Sequence, residues 1–217
     1  MERERRPRVV VICGGNFQGK SLVSLRVASR LGLTAAISTD SIGLLLRSLF
    51  PGDSELSTSS YRLSKRDFEA QVRRISGLAM DLTTGYVARG ESIVVEGIHL
   101  SRPFLEWARE KNYCCVVLDN ELNLEKRVIL KHGTRSLLRL RDSNSAGGYR
   151  YGRIDRENVG LSAYVENSER IREIQAEIVR MGRENGFKIV RFATLRKAVE
   201  EVLLAVNGCY GRNGDCR

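Results

Sequence analysis

Apolar positions along the chain fall into two kinds of run. Short blocks rich in β-branched residues stand at residues 9–13 (Val-Val-Val-Ile-Cys), 34–37, 92–97, 113–119 and 187–192. Each is too short for a helix and reads as a buried strand. Between them apolar residues return at helical spacing. Leu22, Leu25, Ala28 and Leu31 predict a helix over 21–31 that leaves through Gly32-Leu33. A second helix is expected over 42–50, stopped by Pro51-Gly52, with Asp40 or Ser41 placed to cap it. Residues 53–63 are polar and read as a loop. The longest helix is expected over 66–89, with Phe68, Val72, Ile75, Leu78, Ala79, Leu82 and Val87 as its apolar stripe and Gly90 as its end. A short helix follows over 103–111. Residues 122–140 form a basic helix or helix pair, and 142–160 is the most glycine-rich stretch. Helices are then expected over 161–185, with Ile171, Ile174, Ile178 and Met181 in register, and over 195–206. Residues 207–217 show no period and read as a loose tail. Strands alternating with helices predict an α/β fold with a parallel sheet covered on both faces. In such sheets ligands gather at the carboxyl ends of the strands.

Composition changes this picture little. A chain of 217 residues, 42% hydrophobic and 29% charged, is large enough for one well-buried domain. We expect that domain over 1–206, with a basic insertion at about 122–160. No apolar run is long enough to span a membrane, and the mixed-charge start does not read as a signal peptide. Cys13, Cys114, Cys115, Cys209 and Cys216 show no metal or disulfide spacing. Reduced thiols and a cytoplasmic location are therefore the expectation.

Charge changes it more. The net charge is +10, and residues 122–156 alone hold nine Lys or Arg against three acids. Such a patch suits phosphate-bearing ligands, either a nucleotide with a phosphorylated metabolite or a nucleic acid. Arg127, Lys131, Arg135, Arg139 and Arg141 recur at three- to four-residue intervals, which fits a cationic lid and equally a nucleic-acid face. Tyr149, Tyr151 and Tyr164 are too sparse for a stacking platform.

The chemistry concentrates after the first strand. Gly14-Gly15-Asn16-Phe17-Gln18-Gly19-Lys20-Ser21 satisfies G-x-x-x-x-G-K-[ST] and sits between a strand and a helix, the context the motif requires. Glycines let the backbone turn its N–H groups around a polyphosphate, and the helix N-terminus adds partial positive charge. Lys20 is then expected at the terminal phosphates and the Ser21 hydroxyl at Mg²⁺. Asp40 is expected at the end of the second strand and Glu96 at the end of the third. One carboxylate at the metal and one at an acceptor hydroxyl is what phosphoryl transfer to an alcohol needs. A helix cap for Asp40 and a local backbone contact for Glu96 are the plainer alternatives. His99 lies close enough to line the same pocket, and Asp119 reads as a cap for the basic helix. Positive groups that close over a transferring phosphate stabilise its charge, a role that Arg135 and Arg139 fit.

Several stretches together resemble the P-loop kinase family of archaeal-type 2-phosphoglycerate kinase: CGGNFQGKS, ISTDSI with Arg47 downstream, TSSY, VVEGIHL and ERIREIQ. The resemblance runs over most of residues 8–205 and is strongest before residue 101. It implies a nucleoside-monophosphate-kinase-like, three-layer P-loop fold with five parallel strands and a helical lid insertion. It also implies ATP and Mg²⁺, and transfer to the hydroxyl of a small phosphorylated acid, giving 2,3-bisphosphoglycerate. Carried over by residue, it implies phosphate and metal roles for Gly19, Lys20 and Ser21. It puts Asp40 at the substrate hydroxyl or metal and Glu96 beside the metal. Ser59, Ser60 and Tyr61 become acceptor contacts, and Arg172 and Gln175 line the closing side. Phe17-Gln18 departs from the family's small residues, and the basic insertion is not a close match. An RNA or aminoacyl-tRNA hydroxyl is the rival acceptor. A non-catalytic P-loop protein that binds nucleotide or nucleic acid is the rival class.

Overall fold

The computed structural model describes residues 6–53, 56, 59–130 and 166–211. Arg135, Arg139, most of the basic insertion and residues 212–217 of the tail lie outside the described residues. The strands are β1 (Val9–Cys13), β2 (Ala35–Ser38), β3 (Ile93–Gly97), β4 (Cys114–Asn120) and β5 (Lys188–Phe192). They form one sheet in the order β2-β3-β1-β4-β5, with every neighbouring pair parallel. The helices are α1 (Lys20–Leu31), α2 (Thr39–Leu49), α3 (Lys65–Ala88), α4 (Arg102–Glu110), α5 (Ser168–Glu184) and α6 (Leu195–Tyr210), and residues 124–130 are also helical.

The continuous apolar runs follow from this layering. β1 and β3 are central and buried along their whole length, and Glu96 near the end of β3 is their one charged residue. One face of the sheet is covered by α2, α3, α4 and α5, through Ile42, Ile75, Phe104 and Ile178. The other is covered by α1 and α6, through Val23, Val27, Val199 and Val202. Among the described residues, no helix is long and apolar enough to cross a membrane.

Three expectations need correction. In α1 the buried residues are Val23, Ser24, Val27 and Ala28, while Leu22 and Leu25 are exposed. Each residue turns a helix by about 100°, and here the rotation lets Ser21 meet Glu96 on β3. In α3, Leu78 and Leu82 are exposed, while Gln71, Ser76 and Thr83 are buried. Each of these polar groups has a partner: Gln71 faces His99, Ser76 Oγ meets Ser101 Oγ at 2.7 Å, and Thr83 Oγ1 donates to the Ala79 carbonyl. Burial of a bonded polar group costs little, so helical period alone misplaced the face. The first part of the supposed loose tail continues α6 to Tyr210. The Tyr210 hydroxyl donates to the Val9 carbonyl at 2.7 Å and accepts from the Val9 N–H at 3.0 Å.

Candidate active site

The loop at 14–21 leaves β1 and turns into α1 at Gly19, whose φ of 79° lies in the left-handed region. No side chain caps α1 and no acid stands in its first turn. Its leading N–H groups therefore open onto the loop, where an anion is stabilised. Lys20 Nζ donates to the Gly15 carbonyl at 2.9 Å. Ser21 Oγ donates to Glu96 Oε1 at 2.9 Å. Glu96 is a buried residue near the carboxyl end of β3, paired in register with Ile12 of β1 and Ser38 of β2.

The Phe17-Gln18 pair ties the loop to the surrounding fold. Gln18 is buried, and its Oε1 accepts the Asn120 N–H at 2.7 Å, at the end of β4. Phe17 has a φ of 64° and packs with Tyr61, Leu124, Val128 and Ile171. Gln175 of α5 reaches the loop from the other side. Its Oε1 accepts the Gly15 N–H at 2.6 Å and its Nε2 donates to the Leu118 carbonyl at 3.0 Å. A Cβ on residue 15 would lie 2.9 Å from that oxygen, so the contact requires glycine. The Asn16 Oδ1 is buried without a hydrogen-bond partner among the described residues.

The second half of the site is built around His99, which lies just beyond β3 and is buried. Its Nε2 faces Gln71 Oε1 at 3.0 Å and Ser60 Oγ at 2.8 Å, and its Nδ1 faces Thr39 Oγ1 at 3.1 Å. A carbonyl oxygen only accepts, so the proton sits on Nε2 and Nδ1 accepts from Thr39. Burial lowers the pKa of His99 to about 4, against the opposing pull of Asp40 and with added depression by Lys20 and Arg47. The imidazole is therefore neutral at pH 7. Asp40 stands 3.8 Å from Nδ1 with its side chain 71% exposed, and Arg47 is half-buried on the same helix.

Asp40 is not the end of a strand and does not cap α2. Ser38 holds the N-cap position and the helix begins at Thr39, which leaves Asp40 in the first turn with its carboxylate at the surface. Nor does Asp119 cap the basic helix. Asn123 Oδ1 accepts the Lys126 N–H at 2.9 Å, while Asp119 meets Gln175 Nε2 and Arg191. Of the expected acceptor contacts, Ser60 faces His99, Ser59 is exposed ahead of a short 3₁₀ turn (Ser60–Arg62), and Tyr61 is buried against Phe17. Arg172 is exposed and paired with Glu125 at 3.3 Å. It does line a cleft with Gln18, Asp119, Arg127, Gln175 and Arg183. Two of the Arg127 nitrogens, Nε and Nη1, are buried without a hydrogen-bond partner among the described residues. The roles of Gln18, Gln71 and Thr39 carry no local signal, because each is set by a contact distant in sequence.

These residues fit a nucleoside triphosphate with a hard cation. The loop offers an uncapped helix start, a left-handed glycine and a lysine, and Ser21 with Glu96 supplies oxygen donors of the kind Mg²⁺ takes. Among the described residues no cluster of three or more His, Cys, Asp or Glu could hold a metal by itself.

No protein-family model matches the chain. It is 26% identical over 217 residues to a 2-phosphoglycerate kinase of Thermococcus kodakarensis, covering 93% of this chain and 67% of that protein. It is 35% identical over 109 residues to a 2-phosphoglycerate kinase of Methanocaldococcus jannaschii, covering 44% and 35%. A third, from Pyrococcus furiosus, is 21% identical over 211 residues, covering 91% and 63%. The chain thus spans about two thirds or less of the length of these relatives. Among solved structures, shikimate kinase from Acinetobacter baumannii in complex with shikimate matches with a TM-score of 0.51 at 13% identity, covering 94% of this chain and 93% of that one. That is a likeness of fold. The chain has the fold of the P-loop kinases, and in sequence it resembles the archaeal 2-phosphoglycerate kinases.

Proposed function

We propose that this chain is an ATP-dependent kinase whose acceptor is a hydroxyl of a small phosphorylated acid, with 2-phosphoglycerate as that acid and 2,3-bisphosphoglycerate as the product. The observation that carries the reading is the pairing of Ser21 with Glu96, 2.9 Å apart, at the mouth of a phosphate-type loop. On the acceptor side of this reading, Asp40 stands 3.8 Å from His99 with its carboxylate exposed. The names of the archaeal relatives support the substrate class.

In this reading Ser21 and Glu96 hold Mg²⁺, which when bound neutralises charge on the phosphates. Lys20 leaves the Gly15 carbonyl for the terminal phosphates and stabilises the charge that grows on them during transfer. Asp40 takes the acceptor hydroxyl's proton as that oxygen bonds to the γ-phosphorus and the bond to the β,γ-bridging oxygen breaks. Neutral His99 fixes Ser60 and Thr39, so positive charge on the acceptor side comes from Arg47 and Lys20 instead of the imidazole. Arg135 and Arg139 are assigned to a closing lid from the sequence alone.

The test is ATP consumption measured across the phosphoglycerates, other small phosphorylated acids and tRNA. Turnover on 2-phosphoglycerate, abolished by Lys20→Ala and cut in kcat much more than in ATP affinity by Asp40→Asn, supports the reading. Consumption that depends on tRNA and on no small acid overturns it.

A further inference from the structure

β1 pairs with β4 as far as Cys13 and Val117. Two residues further on, the same register sets Gly15 opposite Asp119. The Arg8 carbonyl accepts from Ile93 of β3, while Val9 turns the other way and shares the Tyr210 hydroxyl with Cys114 of β4. Odd-numbered residues of β1 therefore present their backbone groups to β4, and Gly15 continues that alternation. A prolonged parallel ladder would pair the Gly15 N–H with the Leu118 carbonyl directly, at about 2.9 Å. Instead the side-chain amide of Gln175 stands between the two groups. Its Oε1 accepts the Gly15 N–H at 2.6 Å, and its Nε2 donates to the Leu118 carbonyl at 3.0 Å and lies 3.4 Å from Asp119 Oδ1. One residue of α5 is thus spliced into the sheet where β1 gives way to the phosphate-type loop.

The same helix grips the loop a second time, because Ile171, one turn before Gln175, packs with Phe17. On its carbonyl side Gly15 takes the Lys20 ammonium at 2.9 Å. Gly15 is therefore held at both its N–H and its carbonyl. The Lys20 contact is given up when that side chain turns to a terminal phosphate. The Gln175 contact stays and keeps the loop from closing onto β4. A side-chain amide suits this place, since it accepts and donates at once and adds no charge that would repel a polyphosphate.

Resting on the proposed kinase reading, we infer that Gln175 is a positioning residue for the nucleotide: it holds the loop one amide group away from β4, in the form that receives the phosphates. The family resemblance put Gln175 on the closing side of the site. Both of its polar atoms are instead engaged by the loop and the end of β4, so it acts on the reaction through Gly15. Without the amide, the Gly15 N–H and the Leu118 carbonyl either pair with each other or lose their partners. In both cases the loop leaves the arrangement that cradles a phosphate.

The experiment measures binding of a non-hydrolysable ATP analogue with Mg²⁺ by calorimetry, with urea midpoints and steady-state kinetics on the same proteins. Gln175→Met removes the amide and keeps the bulk of the side chain, and Gln175→Ala removes both. Each should bind the analogue about tenfold more weakly than wild type, the scale of the two neutral hydrogen bonds lost. KM for ATP should rise by the same factor, while KM for 2-phosphoglycerate stays within about twofold. Glu177→Gln, on the exposed face of the same helix, should match wild type throughout. Three results overturn the inference: analogue binding as tight as wild type in both variants, affinity that falls only in step with the folded fraction, or a rise in acceptor KM with ATP KM unchanged. The last is what a direct acceptor contact would give. Wild-type protein that binds the analogue but turns over no phosphoglycerate, with affinity still lost in both Gln175 variants, overturns the substrate reading and leaves this inference standing. Wild-type protein that binds no nucleotide overturns both.

Discussion

Ser21 Oγ and Glu96 Oε1 meet at 2.9 Å, joining the start of α1 to the end of β3 across 75 residues of sequence. The contact brings a hydroxyl and a buried carboxylate to one point, with no lysine or arginine bonded to the acid among the described residues. Glu96→Gln keeps an oxygen for Ser21 to donate to, so the fold should hold with an unchanged denaturation midpoint. Removing the charge should lower kcat by about 100-fold or more and raise the Mg²⁺ concentration needed for half-maximal rate. Steady-state kinetics over a Mg²⁺ series checks both.

Gly97 is set against Thr39 so closely that a Cβ would stand 1.8 Å from Thr39 Oγ1. Thr39 is fully buried and its hydroxyl is engaged by His99, so it cannot swing aside without orphaning the imidazole. Gly97→Ala should destabilise by about 1–3 kcal/mol, the usual range for overpacking. Adding Thr39→Ala should recover part of that loss. Urea midpoints at constant slope are the measurement.

Phe17 carries two opposed effects. Its left-handed φ of 64° costs about 1 kcal/mol for a non-glycine residue, which Phe17→Gly relieves. The same substitution strips the ring from its cluster with Tyr61, Leu124, Val128 and Ile171, worth about 3–5 kcal/mol by analogy with Phe→Ala in cores. Burial outweighs strain, and the variant should be about 2–4 kcal/mol less stable. A thermal melt showing stabilisation would reverse that ranking.

His99 links stability to pH. Burial holds its folded pKa at about 4, below the ordinary value of 6.5, so between these values the unfolded chain binds the proton and the folded one does not. Stability from this group is therefore constant above pH 6.5, falls as pH drops towards 4, and levels off below. The full loss is about 3 kcal/mol. His99→Gln should flatten this window relative to wild type. Denaturation series at pH 7.5 and pH 5 provide the comparison, and equal losses in the two proteins would remove the assignment.

Much of the architecture was readable locally. Runs such as Val9–Cys13 and Ile93–Val95 are so uniformly apolar that only strands covered on both faces accommodate them. Gly19-Lys20-Ser21 declares its chemistry because phosphate binding needs those residue types at that spacing. Helix phase was less legible. Leu22 and Leu25 look like core and are exposed, because tertiary contacts at Ser21 choose the rotation of α1. Asp40 looked like a strand end, because the boundary depends on Thr39 being drawn to His99.

The sequence by itself therefore determined the order of elements, the parallel sheet and the phosphate-type loop, since these rest on periodicity and on a motif within eight neighbouring residues. Only the tertiary structure decided which polar groups are buried and what they face: Gln18 on the Asn120 N–H, Gln175 on Gly15, Gln71 and Ser60 on His99, and Arg170 over Phe68. Each of these is a contact between residues far apart in the chain. Its strength comes from exclusion of water by the packed fold, which no local pattern of residues encodes.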